Sequence, residues 1–196
     1  FVGVLGYSRL RLVRLVWTMD IETTLRAIEE MLREAGGVPR KVTMDNAKCI
    51  ALKASLYEPI LNPVAERFAQ HYGFFFECLP PADPELKGKI ERQVPYVRRL
   101  RQSREGSWEG LEFEEAHLRR KLVLANEQRH GTTRRRPREV WALEERATLK
   151  PLPPVAYEIE RYHEGIVRKD GYVRFDSKYY CAGSDFRDKT AVVIAN

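Results

Sequence analysis

Cysteine is scarce and unpaired in this chain. Cys49, Cys78 and Cys181 are an odd number, with no CxxC pair and no zinc-like spacing to the four histidines. That argues against a disulfide framework or a structural zinc site and points to free thiols in a reducing compartment. Long apolar runs are also missing, since none approaches the roughly 20 residues of a membrane span. The apolar opening FVGVLG has neither the basic lead nor the cleavage pattern of a signal peptide, so it reads as a strand. There are no internal repeats and no low-complexity tract. Without a Gly-rich phosphate loop or a Ser/His/Asp set, neither ATP hydrolysis nor triad chemistry is expected within this chain.

What is present describes a globular protein. The chain has 196 residues, 43% of them hydrophobic and 32% charged, enough for one sizeable core and a small second module. Net charge is +6 and the pI is about 9.3, which favours a polyanionic partner, and the placement of the cations says more than their sum.

The order of elements follows from periodicity. Phe1 to Gly6 and Leu10 to Trp17 read as a hairpin whose second strand presents Arg9, Arg11 and Arg14 to solvent. Asp20 is positioned to cap a helix in which Leu25, Ile28, Met31 and Leu32 share a face until Gly36-Gly37. Val38 to Met44 supplies a strand that ends at Asp45, and residues 46 to 61 carry little regular signal. Asn62-Pro63 starts a helix with Val64, Phe68 and Tyr72 inward, and Phe74 to Leu79 is again a strand.

The segment that follows, PPADPELKGKIERQVPYVRRL, has Asp83-Pro84 as a helix start and Leu86, Ile90, Val94 and Val97 on one face. Glu91 lies at the edge of that face among Lys87, Lys89, Arg92, Arg98 and Arg99, and Pro95 should kink the helix one turn later. Phe113 to Arg129 is helical through Ala116, Leu118, Leu122 and Leu124, and Pro137 to Ala147 is a short helix. A second basic cluster comprises Arg134, Arg135, Arg136 and Arg138. The Pro-rich LKPLPPV is a connector, and Tyr157 to Asn196 reads as several short strands forming a small β-barrel. His130 suits a structural place near a helix end. Of the adjacent Tyr179 and Tyr180, one should be core, because neighbours on a strand face opposite sides.

Read together, GYSRLRLV, GGVPRKVTMDNAK, LNPVAERFAQHYGF, PADPELKGKIER and NEQRHGTTRRRPREVW resemble the IstA-type insertion-sequence transposases. These are DDE enzymes with an RNase H-like, retroviral-integrase-type core. The resemblance covers nearly the whole chain, and the ordered set of segments is more specific than any one of them.

It implies an α/β RNase H-like core over residues 1–104, a helical extension over 105–148, a linker over 149–156 and the small barrel over 157–196. It makes Asp45 and Glu91 the second and third catalytic metal ligands for Mg²⁺, with Mn²⁺ as a substitute. The function implied is metal-dependent DNA strand cleavage followed by transfer of a 3′-hydroxyl into target DNA. The family's first strand, with its first catalytic Asp, has no counterpart here, so the expectation is a piece of a longer protein or a truncated derivative. Another element would then have to take that strand's place in the sheet.

Carboxylates are hard oxygen donors, which suits Mg²⁺ and two-metal phosphoryl transfer. The resemblance also implies transposon-end and target DNA, homo-oligomers, an AAA+ ATPase helper of the IstB type and a nucleoid-associated place in a prokaryotic cytoplasm. The two basic clusters would hold DNA phosphates. Blander readings stand beside these: Asp45 as a turn residue, Glu91 as a partner of Lys87, and the arginines as solvated faces. At the level of function the alternative is a non-catalytic DNA-binding or assembly module, with a retroviral-like integrase domain as a weaker third.

Overall fold

The computed structural model describes residues 1–45, 49–53, 60–79, 93–102, 110–159 and 161–195. The chain divides into two compact units, Phe1–Val155 and Ala156–Asn196.

Unit 1 opens with the expected antiparallel hairpin, β1 (Val2–Val4) against β2 (Arg11–Val13), with Val2 opposite Val13 and Val4 opposite Arg11. Helix α1 (Ile21–Ala35) follows; Asp20 Oδ1 accepts from Thr23 N at 2.7 Å and Gly36 closes the helix at φ 77°. A left-handed C-cap is where glycine costs least. Next come β3 (Lys41–Asp45) and the short pair β4 (Ala51–Lys53) and β5 (Ile60–Leu61). Helix α2 (Pro63–Tyr72) starts on the Asn62 side chain, which accepts from Val64 N, and turns Val64, Phe68 and Tyr72 inward. Strand β6 (Phe75–Leu79) returns parallel to β3. The chain continues with α3 (Gln93–Gln102), α4 (Leu111–Glu127) and α5 (Pro137–Val140), which runs on into a π-helical turn at Trp141–Glu145 and a 3₁₀ turn at Arg146–Thr148.

The hairpin is a middle layer. Val13 packs with Val97, Leu118 and Leu122 of α3 and α4, whereas Leu10 and Leu12 pack with Ala35, Met31, Trp141 and Leu149. Close layering also explains Gly3, where a Cβ would stand 2.9 Å from Met31 Sδ. Because α4 supplies half of the first cluster, the helical extension is part of the core of unit 1. Its buried stripe is Glu114, Leu118, Leu122, Ala125 and Asn126, and Leu124, expected on that face, is 63% exposed.

This layering overturns the solvent-facing arginine row. Arg11 and Arg14 are buried, because β2 is covered on both faces. The Arg11 guanidinium lies 4.6 Å over the Tyr96 ring. Arg14 bonds Glu30 at 2.6 Å and Glu34 at 2.7 Å, so its charge is neutralised rather than solvated. Pro95 is the third residue of α3 as described. The preceding turn, where its effect on a longer Glu91 helix would be read, lies outside the described residues.

The β1–β2 and β3–β6 pairs are separate two-stranded sheets, and no strand joins them among the described residues.

Unit 2 holds β7 (Arg161–Ile166) antiparallel to β10 (Thr190–Ala195) and β8 (Tyr172–Phe175) antiparallel to β9 (Lys178–Cys181). The expected barrel is not closed: among the described residues the four strands form two separate ladders, each strand pairing along one edge. Tyr179 and Tyr180 are both exposed, against the expectation that one is core. Tyr179 lies under Arg168 and Tyr180 lies beside Phe175.

Candidate active site

Asp45 is the last residue of β3 and stands opposite Leu79, the last residue of β6. Because the strands are parallel, both chains leave the sheet at the same edge. In open α/β sheets that carboxyl edge is where ligands bind. Residues 80–92, including Glu91, Lys87, Lys89 and Arg92, continue from this edge and lie outside the described residues.

Two residues before that edge, Thr43 opposes Glu77. Thr43 Oγ1 donates to Glu77 Oε2 at 2.6 Å and Lys41 Nζ reaches Oε1 at 2.9 Å. The Thr43 hydroxyl first, and then Lys41, holds the Glu77 carboxyl below its ordinary range. This side-chain bridge ties β3 to β6 beneath the candidate site. A Thr and a Glu on two strands carry no signal in the sequence until the register is known. After Asp45 the chain is secured again, with Thr24 Oγ1 of α1 3.5 Å from Cys49 Sγ and Asn62 N donating to Ile50 O.

The donor set expected for a metal is oxygen-only, as Mg²⁺ requires. Of the two expected carboxylates, Asp45 ends β3 at the sheet edge and Glu91 lies outside the described residues. Among the described residues no group of three His, Cys, Asp or Glu could hold a metal ion.

The basic residues divide between two places. Helix α3 has no acidic residue, and Arg98 and Arg99 are exposed there without an ion-pair partner among the described residues. Arg101 and the exposed Arg120 of α4 were missed from sequence. The α3–α4 packing joins them to the same region, since Lys121 Nζ donates to Leu100 O at 3.2 Å.

In the second cluster Arg135 is paired with Glu144, and Arg138 lies 4.0 Å from Glu127. Arg134, at φ 57°, and Arg136 are exposed. His130 organises this loop as expected of a structural residue: its backbone bonds Arg134 and Arg135, and its Nδ1 accepts weakly from Thr132 N and Thr133 N. Burial first, then Arg11 and Arg9, push its pKa below 6.5.

In fold, this architecture is that of the RNase H-like catalytic cores of retroviral integrases. It is similar to the catalytic core domain of bovine immunodeficiency virus integrase, with a TM-score of 0.57 and 19% identity over 75% of this chain and 87% of that one. It is also similar to a simian T-cell lymphotropic virus intasome in complex with a PP2A regulatory subunit, with a TM-score of 0.58 and 13% identity over 84% of this chain and 55% of that one.

In sequence the chain is IS21-family-like, related to insertion-sequence transposases. It is 26% identical to the transposase of IS21 from Pseudomonas aeruginosa over 91% of this chain, and 33% identical to an IS21-like transposase from Bacteroides fragilis over 82%. It is 26% identical to the IS232 transposase from Bacillus thuringiensis over 96%. The chain spans 46%, 31% and 44% of the length of these relatives. No protein-family model matches it.

Proposed function

We propose that this chain is the catalytic region of a DNA transposase and that its chemistry is metal-dependent strand cleavage followed by attack of the freed 3′-hydroxyl on target DNA. The observation that carries the reading is the parallel Asp45–Leu79 pairing, which brings the end of β3 and the start of the Glu91-bearing segment to one sheet edge. Asp45 and Glu91 would hold Mg²⁺, or Mn²⁺ in its place. When bound, such ions activate the attacking oxygen and stabilise the leaving one.

The chain's own contribution is positional. The Lys41–Glu77–Thr43 bridge fixes β3 against β6, and the arginines of α3, with Arg134 and Arg136, hold the phosphate backbone without reading sequence. Lys87, Lys89 and Arg92 are further phosphate contacts in this reading, and Arg135 and Arg138 join them if DNA displaces their carboxylate partners. Oligomers on paired DNA ends and an AAA+ helper of the IstB type follow from the family resemblance.

The test is joining of a transposon-end duplex to plasmid DNA in Mg²⁺ or Mn²⁺, by this chain and by one extended upstream in its native reading frame. Each is paired with Asp45→Asn and Glu91→Gln, and Mn²⁺ binding is followed by electron paramagnetic resonance. Joining and Mn²⁺ binding that are both lost in the variants support the enzyme. DNA binding without joining in either form would leave the second reading, a non-catalytic DNA-binding or assembly module.

A further inference from the structure

The positive excess of the chain lies in unit 1, since residues 156–196 contain seven Lys or Arg and seven Asp or Glu. Part of that excess collects where the β1–β2 turn meets the loop after α4. Arg9, Arg129, Arg134 and Arg136 have no ion-pair partner among the described residues, and all but the half-buried Arg9 are exposed.

Polar contacts bind the two pieces together. Tyr7 Oη donates to Glu144 Oε2 at 2.6 Å, and Arg135 pairs with the same carboxylate. Glu145 holds Tyr7 N and Ser8 N, and Asn126 holds both backbone groups of Arg11. Arg9 is near enough to His130 to oppose its protonation, which places it beside the loop. Arg9 and Arg134 stand at φ 66° and 57°, a left-handed conformation that persists in residues with side chains only where surrounding contacts impose it. Arg9 N bonds Leu5 O and Arg134 N bonds His130 O, so each turn is closed by the backbone. A fixed frame therefore presents these cations.

The frame stands at the end of unit 1 away from Asp45. Leu10 and Leu12 pack on Ala35 with Trp141 and Leu149, and Trp141 Nε1 donates to Ala35 O at 2.9 Å, so the arginines gather near the C-terminus of α1. The other end of α1 faces the carboxyl edge of β3, with Thr24 Oγ1 3.5 Å from Cys49 Sγ, shortly after Asp45 in the chain. From Thr24 to Ala35 the helix rises roughly 16 Å at 1.5 Å per residue. Screening at physiological salt acts within about 8 Å, so the two places serve different phosphates. At about 3.4 Å per base pair, the separation corresponds to about five base pairs.

We propose that this end of unit 1 is a second DNA-backbone surface, formed by Arg9, Arg129, Arg134 and Arg136, which grips the duplex at least about five base pairs from the strand that the Asp45 edge would act on. One duplex suffices, because DNA is stiff over about 50 nm and a duplex laid along unit 1 reaches both places. The surface lends affinity and placement, since phosphate contacts position a duplex without reading it. For its partner the inference rests on the transposase reading.

The experiment is amide hydrogen exchange of the full chain at low salt, with and without a duplex of about 30 base pairs, long enough to span both places. Wild type is compared with the Arg9→Gly, Arg129→Ala double variant, in which glycine suits the positive φ at residue 9. In wild type the duplex is expected to slow exchange at residues 5–10 and 128–136 as well as in α3, with one duplex bound per chain. The double variant should lose the first protection, keep that of α3, and lower the slope of log K against log salt by about 1.8, the share of two phosphates. A variant that had merely misfolded would lose exchange protection in α3 without DNA. Protection of α3 alone in wild type, or two duplexes bound per chain, would overturn the inference and leave the transposase reading standing. No protection anywhere would overturn both.

Discussion

His130 shows how far a residue's role departs from its chemistry on paper. An imidazole invites a catalytic part, yet here its Nδ1 accepts backbone N–H groups and nearby Arg9 and Arg11 oppose its protonation. With the folded pKa below 6.5, the unfolded chain takes up a proton first as pH falls. The stability this residue contributes is therefore complete above pH 6.5 and is lost on acidification through the folded value. Because the ring is half-exposed, the effect should stay below about 1 kcal/mol after solvent screening. Melting temperatures of wild type and His130→Gln should converge as pH is lowered from about 7.5 to about 5.5. Parallel curves would show that the depressed protonation does not exist.

Among the elements, helix α4 does more than pack. Asn126 Oδ1 accepts from Arg11 N at 3.1 Å and its Nδ2 donates to Arg11 O at 2.9 Å, so one buried amide occupies the backbone groups of β2 as a neighbouring strand would. A helix thereby blocks a sheet edge. Asn126→Leu keeps similar bulk but leaves the Arg11 N–H and C=O unsatisfied, which should cost about 2–3 kcal/mol in urea unfolding. A loss under about 0.5 kcal/mol would mean that water replaces the amide.

The turn of the same hairpin is held in a comparable way. Buried Glu145, on the π-helical turn, accepts from Tyr7 N at 3.0 Å and Ser8 N at 2.9 Å across 138 and 137 residues of sequence. Neither contact could be read from sequence, because each joins a polar side chain to backbone far along the chain. The helix boundaries were legible, because Asp20, Gly36, Asn62, Pro63 and Gly73 act within one turn of themselves.

Taken whole, the molecule carries its positive excess in unit 1, while unit 2 is balanced in charge. If α3 carries phosphate contacts, Arg98→Ala and Arg99→Ala should each weaken duplex binding about equally across sequences and lower the salt slope by about 1. Measured affinities over a range of salt would show it, and an unchanged slope would place the DNA elsewhere.

Local chemistry was sufficient for the first hairpin, for the caps of α1 and α2, for the strand ending at Asp45 and for the family resemblance, though not for the β4–β5 pair, because caps, periodicity and ordered motifs are properties of neighbouring residues. The fate of Arg11 and Arg14, the Glu77 bridge, the Asn126 amide on β2 and the open ladders of unit 2 were decided by tertiary structure alone. Alternation along a strand shows which residues share a face. Whether that face meets water, a helix or another strand depends on segments tens of residues away.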